Sequence, residues 1–503
     1  MKLGNKDAGR NAMSTGSSFD PQQALSKHVL NNFYVGGTWV EPQSDRKLEL
    51  ISPMTEECFV RVPEASNADV DRAVRAAREA FDKGPWPRMS PQERAKFVTA
   101  MGVELKKRLP LLTDVWTAQV GAPKSFASYV INYGPQLFEF YGQLGAKGDF
   151  AETREVMGGK ATVVREPVGV VAIITPWNAP IPLISYGVAA GLTAGCTIVA
   201  KPAPETPLEA QVLAECAEAA GLPPGVFNVV PAGREVGDYL IRKPEIDKVS
   251  FTGSVAAGKH IAEVCASRLA RCTLELGGKS PAVIMDDADL ATALGTIVPF
   301  GMPMSGQICF SLTRVLVSKK RHDEVVDAYT QAVKKIVVGD PWQAETQMGP
   351  LSMKRQLDRV LGYIKKGRAE GAKIATGGGR PKDMNRGYYV EPTIFTNVNS
   401  DMTIAKEEIF GPVVSVMPYD SEEDAIRIAN QSAYGLSGAV FTRDPEKGMA
   451  LARRIRTGNV TVNGLNLQVS VPFGGYKESG IGRVGGPQGL EAYQEIKSVY
   501  MPA

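Results

Sequence analysis

Histidine is nearly absent from this 503-residue chain: His28, His260 and His322 are the whole supply, and they lie far apart. That shortage argues against a Ser-His-Asp triad and against a histidine-ligated zinc site, and no metal is expected. Cysteine is also sparse. Cys58, Cys196, Cys216, Cys265, Cys272 and Cys309 form no C-x-x-C pair, which suits reduced thiols in the cytoplasm better than a disulfide or zinc framework. Neither sign of charge dominates, with 57 basic against 54 acidic residues, and no Lys/Arg cluster is interleaved with aromatics. Nucleic acid is therefore not an expected partner. No uncharged apolar run reaches the roughly 18 residues of a membrane helix, and no membrane association is expected. The start of the chain, MKLGNKDAGRNAMSTGSS, lacks the apolar stretch of a signal peptide, and residues 1–27 read as a flexible tail.

What remains is an ordinary globular composition, 44% apolar and 22% charged, in a chain too long for one hydrophobic core. NNFYVGGTWV (31–40) reads as a hairpin turning at Gly36-Gly37, and ETREVMGGKATVVRE (152–166) as a second one turning on its own Gly-Gly pair. ASNADVDRAVRAAREAF (65–81) is an amphipathic helix opened by a Ser66-x-x-Asp69 cap. From residue 168 the texture changes. VGVVAIITP, TIVAKPAPE, GVFNVVP and DKVSFTGS are β-branched runs separated by helical stretches such as TPLEAQVLAECAEAAG. The same alternation returns in SPAVIM, RVLVSKK, VVSVMPY, GAVFT and NVTVN. Strands alternating with helices predict α/β architecture with two parallel, doubly wound sheets meeting near residue 275.

Four stretches carry chemistry. In KVSFTGSVAAGK a strand ends at Phe251 and a helix begins near Ser254, offering unpaired N–H groups to a pyrophosphate; the glycine spacing alone is equally that of a plain strand–turn–helix. In TLELGGKSP, Glu275 sits between two leucines. Either its strand face is exposed, or a buried carboxylate with a raised pKa is available as a base. In SGQICFSLTR, Cys309 between Ile308 and Phe310 is either an apolar filler or a nucleophile held in an apolar channel. In TPWNAP, Asn178 is either a common loop residue or an amide placed to stabilise an oxyanion.

The motifs PWN, VAKP, FTGS, LELGGK, GQIC, EEIFGPV and PFGGYKESGIGR occur in that order, and Cys309 follows Glu275 by 34 residues. This ordered set resembles the NAD(P)-dependent aldehyde dehydrogenase superfamily, in its hydrolytic branch, from about residue 30 to the C-terminus. The resemblance implies a Rossmann-like cofactor domain (28–147 and 168–276), a catalytic domain (277–483) and a small β bridge for oligomerisation (148–167 and 484–503). It implies that an aldehyde is oxidised to a carboxylic acid with NAD as hydride acceptor, NADP remaining open because Pro204 replaces a common glutamate and Glu205 follows it. Cys309 is implied as nucleophile, Asn178 as oxyanion donor and Glu275 as the base that activates water. Lys201 and Glu408 would meet the two riboses, Ser254 the pyrophosphate and Phe410 the nicotinamide ring. Thr175, Pro176, Trp177, Gly233, Phe251, Gly253 and Leu276 complete the implied cofactor contacts. Ala179, Leu183, Tyr186, Ile308, Phe310 and Leu467 occupy the substrate-tunnel positions, and their apolar character favours an apolar or aromatic aldehyde. Two departures stand out: the family's charged pair near the base is replaced by Gly187 and Val484, which implies that Glu275 exchanges its proton through water or backbone groups alone. Alternatives on the same scaffold are a CoA-acylating semialdehyde dehydrogenase and a non-catalytic structural protein.

Overall fold

In the computed structural model of the chain, residues 19–148 and 150–502 are described. Residues 1–18 of the expected tail lie outside them, but the expectation that flexibility extends to residue 27 is overturned. Pro21–Ala24 and Lys27–Asn31 are helical turns, capped where Asp20 accepts from the Gln22 N–H and Ser26 from the Val29 N–H, and Val29 and Leu30 are buried. A few apolar residues behind good N-caps suffice to dock a segment whose composition is mostly polar.

The first sheet has eight strands in the order Gly480–Ile481, Arg271–Glu275, Lys248–Thr252, Val170–Ile174, Thr197–Lys201, Phe227–Val229, Phe33–Val35, Thr38–Val40. The five central strands are parallel and the two flanks antiparallel. Val170–Ile174 is the first central strand in the chain; later strands add outward on one side and then, from Lys248–Thr252, on the other. The order therefore reverses between Val170–Ile174 and Lys248–Thr252, which opens a crevice at their carboxyl ends. The charge-free helix Pro180–Ala194 is buried along almost its whole length against this sheet, as a helix enclosed between layers must be. The Asn67–Asp82 helix carries the expected Ser66–Asp69 capping box, and the Phe33–Val40 hairpin turns at Gly36 and Gly37, both with positive φ.

The second sheet runs Lys373–Thr376, Thr393–Thr396, Val413–Tyr419, Arg314–Ser318, Pro281–Ile284, Ala439–Phe441, Thr461–Val462, parallel except at its first strand. The chain passes from one sheet to the other between Glu275 and Pro281, where the change of sheet was expected. It does not stay there until residue 483: Gly480–Ile481 returns to pair with Leu274 and Glu275 in the first sheet. A third sheet joins Ala151–Val156, Gly159–Pro167 and Gln494–Pro502, all antiparallel. Its hairpin turns on Met157-Gly158, since Gly159 already pairs with Val156. Residues 484–493 are not part of this sheet; Gly486–Glu491 is a short helix against Pro180–Ala194.

Candidate active site

Each site residue emerges at the end of an element whose local sequence stops it there. Val170–Ile174 ends at Thr175-Pro176, and the next helix starts with Pro180 in its first turn, where a missing N–H costs nothing. The short link between them leaves Asn178 buried. Trp116 Nε1 donates to the Asn178 carbonyl at 2.9 Å, and one Asn178 side-chain N–H donates to the Gln307 carbonyl at 3.0 Å. The other amide N–H remains available to a second acceptor.

Cys309 sits on a loop of unusual backbone. Met304, Ser305 and Gly306 are consecutive left-handed residues. Gly306 has no substitute here, because a Cβ would lie 2.3 Å from the Gly411 carbonyl oxygen. The fully buried Gln307 ties the loop: its Nε2 donates to Met304 O at 2.8 Å, and its Oε1 accepts from both the N–H and the hydroxyl of Ser352 at 3.1 Å. The GQIC stretch is thus a brace for the cysteine that follows it. Burial, then the carboxylates Glu408 and Glu275, push the Cys309 thiol up to about 12.

Glu275 is buried, and neither carboxylate oxygen has a protein hydrogen-bond partner. Burial raises its pKa well above the usual carboxylate range, opposed by Arg483. Beyond it the chain crosses between sheets with no side chains to spare. A Cβ on Gly277 would be 2.3 Å from Glu408 Oε2, and one on Gly278 would be 2.4 Å from the Cys309 carbonyl oxygen. The Gly278 N–H donates to Glu408 Oε1 at 3.0 Å, while burial raises the Glu408 carboxyl.

Two cavities meet at these residues. An apolar tunnel of about 230 Å³ and a more polar cleft of about 460 Å³ share Asn178, Thr252, Glu275, Leu276, Cys309 and Leu183 in their walls. All six expected tunnel positions, Ala179, Leu183, Tyr186, Ile308, Phe310 and Leu467, line the tunnel, and so does Thr175. Pro176, Trp177, Gly253, Ser254, Leu276, Glu408 and Phe410 line the cleft. Ser254 caps the Val255–Ser267 helix, so that helix end faces the crevice predicted by the strand order, and Trp177 meets Phe410 edge-on at 5.4 Å. Lys201, Gly233 and Phe251 are not in the cleft wall. Lys201 Nζ donates to the carbonyls of Pro202 (3.0 Å) and Ala232 (2.7 Å), and burial draws its pKa down to about 8. The Gly233 N–H donates to Glu64 Oε1 at 3.0 Å, and Phe251 turns its ring onto Gly253. Glu205 is engaged by Arg355 at 2.6 Å.

Residues that no motif announced complete both cavities. Arg355, Gln356 and Arg359, from the Lys354–Ala369 helix, line the cleft. Trp116, Phe126, Tyr129 and Tyr133, from helices far upstream, line the tunnel.

The aldehyde dehydrogenase family model matches residues 39–499. The chain belongs to the aldehyde dehydrogenase family. It is 42% identical to a geranial dehydrogenase from Castellaniella defragrans, covering 93% of this chain and 98% of that protein. Among solved structures it superposes on a Mycobacterium tuberculosis aldehyde dehydrogenase complexed with NAD+, with a TM-score of 0.92 and 45% identity, over 94% of this chain and 98% of that one. A variant of aldehyde dehydrogenase C from Pseudomonas syringae, complexed with NAD+ and octanal, gives a TM-score of 0.91 and 39% identity over 94% and 97%. The chain is accordingly an NAD-dependent aldehyde dehydrogenase that oxidises aldehydes to acids.

The glycine crossing can be tested directly. Gly278→Ala forces the Cys309 carbonyl to move and should lower kcat by about two orders of magnitude, as misplacement of a reacting group by about 1 Å does. Steady-state NADH formation checks it, with a thermal melt to show that the variant still folds; activity within twofold of the parent would refute the packing argument.

Proposed function

We propose that Cys309 is the nucleophile, Asn178 the oxyanion donor and Glu275 the general base of a hydrolytic aldehyde oxidation. The observation that carries this reading is the meeting of the three side chains where the apolar tunnel joins the polar cleft. The Cys309 thiol gives up its proton to water, its sulfur bonds to the aldehyde carbon as the carbonyl electron pair moves to oxygen, and a thiohemiacetal anion forms. Its oxygen accepts hydrogen bonds from the free Asn178 amide N–H and from the Cys309 backbone N–H, donors that are fixed before charge develops. NAD would be held by Trp177, Ser254, Glu408 and Phe410, which line the cleft, and would supply the hydride acceptor. The cleft fits that group by the helix N-terminus at the switch point, where Gly253 and Ser254 lie in its wall. Loss of hydride leaves a thioester on Cys309. Glu275 then takes a proton from water as its oxygen attacks the thioester carbon; the carboxylic acid leaves and the Cys309 thiol is restored. A buried base supports hydrolysis over transfer to CoA.

The substrate is an apolar or aromatic aldehyde. Glu275 is the one charged side chain in the tunnel wall among the described residues, so a substrate carrying a carboxylate would find no cationic partner there. Geranial and octanal, named for two of the similar proteins, have this character. The test is a substrate panel read by NADH formation, with Cys309→Ala as the inactive control. Octanal or benzaldehyde should exceed succinic semialdehyde in kcat/KM by at least tenfold, and the reverse order would overturn the assignment.

We also propose that the enzyme works in the cytoplasm, without nucleic-acid or membrane partners, as a homo-oligomer joined through the three-stranded sheet. In support, the described residues include no helix long and apolar enough to cross a membrane, and the six cysteines are free thiols. The outer strand Gln494–Pro502 exposes Ile496, Val499, Tyr500 and Met501 along an unpaired edge, which a second copy would cover. Removing 494–503 should lower the molar mass measured by light scattering to that of the monomer; a monomeric parent would refute the proposal.

A further inference from the structure

The face of the first sheet covered by the Pro180–Ala194 helix is apolar except for one row of side chains. The register pairs Ser250 with Thr273 and Thr252 with Glu275, and the two-residue period of a strand puts Lys248, Ser250, Thr252, Thr273 and Glu275 on the same face. Lys248, Ser250 and Thr273 are buried. Lys248 Nζ donates to Thr273 Oγ1 at 2.7 Å and lies 5.1 Å from the centroid of the Tyr493 ring. The Tyr493 hydroxyl donates to Ser250 Oγ at 3.0 Å. This leaves the Ser250 proton free to be donated onward.

The row is connected to the reaction site. Ser250 and Thr252 line the same cavity as Cys309 and Glu275, and so do Gly187 and Val484. Gly187 is what opens this inner leg: a Cβ there would lie 3.0 Å from Ile173 Cδ1 and 3.1 Å from the Tyr493 hydroxyl oxygen. Gly187 and Val484 themselves bring no ionisable side chain to this part of the cavity. The carboxylate whose two oxygens lack protein partners lines the same cavity as the hydroxyl-bearing Ser250 and Thr252. A site with three polar groups about one strand step apart is a place for a bound water.

We propose that Ser250 and Tyr493, braced by Lys248 and Thr273, are positioning residues that hold a water against Glu275 and favour the carboxylate form of the base. The Tyr493 hydroxyl orients Ser250; Ser250 and the water then donate toward Glu275, which stabilises the charged form that burial disfavours. The expectation that water and backbone groups alone serve Glu275 is thereby refined, because the water has a built side-chain holder. The inference rests on the reading of Glu275 as the general base. Other titratable groups facing Glu275 are Arg483, Tyr186 and Cys309, and those around Lys248 are Cys196, Cys265, Cys272 and Arg271. None of them is altered by the substitutions used below.

The test is the pH profile of deacylation, measured as steady-state turnover after the NADH burst, in the full-length enzyme. A base acts when deprotonated, so the rate rises with pH through the pKa of Glu275. Ser250→Ala should move that rise upward by about one pH unit, giving about tenfold slower deacylation near neutral pH and convergence with the parent at high pH. Tyr493→Phe should move it in the same direction by less, and Ser250→Thr should restore the parent profile. A purely structural role predicts instead the same fractional loss at every pH, and that outcome, or profiles that superimpose on the parent, would overturn the inference. Glu275→Gln separates the two levels of the argument: retained deacylation in that variant would remove the base itself, whereas its loss beside an unshifted Ser250→Ala profile would remove only the water holder.

Discussion

One crossing of the chain sets the geometry of everything around it. From Glu275 to Lys279 the backbone leaves one parallel sheet and enters another, and it does so between two groups that leave it no room. Gly277 lies against the Glu408 carboxylate and Gly278 against the Cys309 carbonyl. The crossing is pinned on every side: the Leu276 N–H donates to Ser479 O at 3.0 Å, the Ser479 hydroxyl to Gly277 O at 2.6 Å, and Arg314 Nε to Lys279 O at 2.8 Å. Arg314 also donates to the carbonyls of Ile428 and Ala429 at the end of the Glu422–Asn430 helix, where a cation is favoured. A Cβ at Gly278 would push the Cys309 backbone away from the crossing, and one at Gly277 would displace the Glu408 carboxylate. The site is therefore a junction before it is a constellation of side chains.

The electrostatics follow from that enclosure. Burial raises Cys309, Glu275 and Glu408 together, so each of these groups is biased toward its neutral form. The polar groups around them are held in place: the Asn178 amide donates to the Gln307 carbonyl, and the Tyr493 hydroxyl to Ser250 Oγ. Fixed donors in a water-poor site act more strongly than the same donors in solvent. This division also explains why a tunnel with such apolar walls can lead to so polar a point.

Much of this was legible in the sequence. The β-branched runs announced both parallel sheets because strands buried on two faces have little choice of composition. Glu275, Cys309 and Asn178 could be singled out as candidates because each sits beside glycine, proline or apolar neighbours, and the structure brings all three into the walls of both cavities. What could not be read is what depends on distant segments. Glu275 is packed against Gly474, about 200 residues away in the sequence, whose missing side chain leaves room for its carboxylate. The return of Gly480–Ile481 to the first sheet is two residues long, too short to carry a period. Arg355 and Arg359 look like the solvated face of an ordinary helix until the second domain brings them over the cleft. The turns at 19–31 were hidden by a polar composition that two N-caps and a buried Val29-Leu30 pair override.

The central claim is that oxidation leaves the acyl group on Cys309 and that Glu275 is needed only to remove it. The direct test is to mix Glu275→Gln enzyme with NAD and octanal, follow one NADH burst, quench in acid, and locate the acyl group by peptide mass spectrometry. The account predicts a burst approaching one NADH per active site, little turnover after it, and an octanoyl increment on the peptide containing Cys309. A variant that turns over at the parent rate, or a full burst with no acyl group on Cys309, would contradict it.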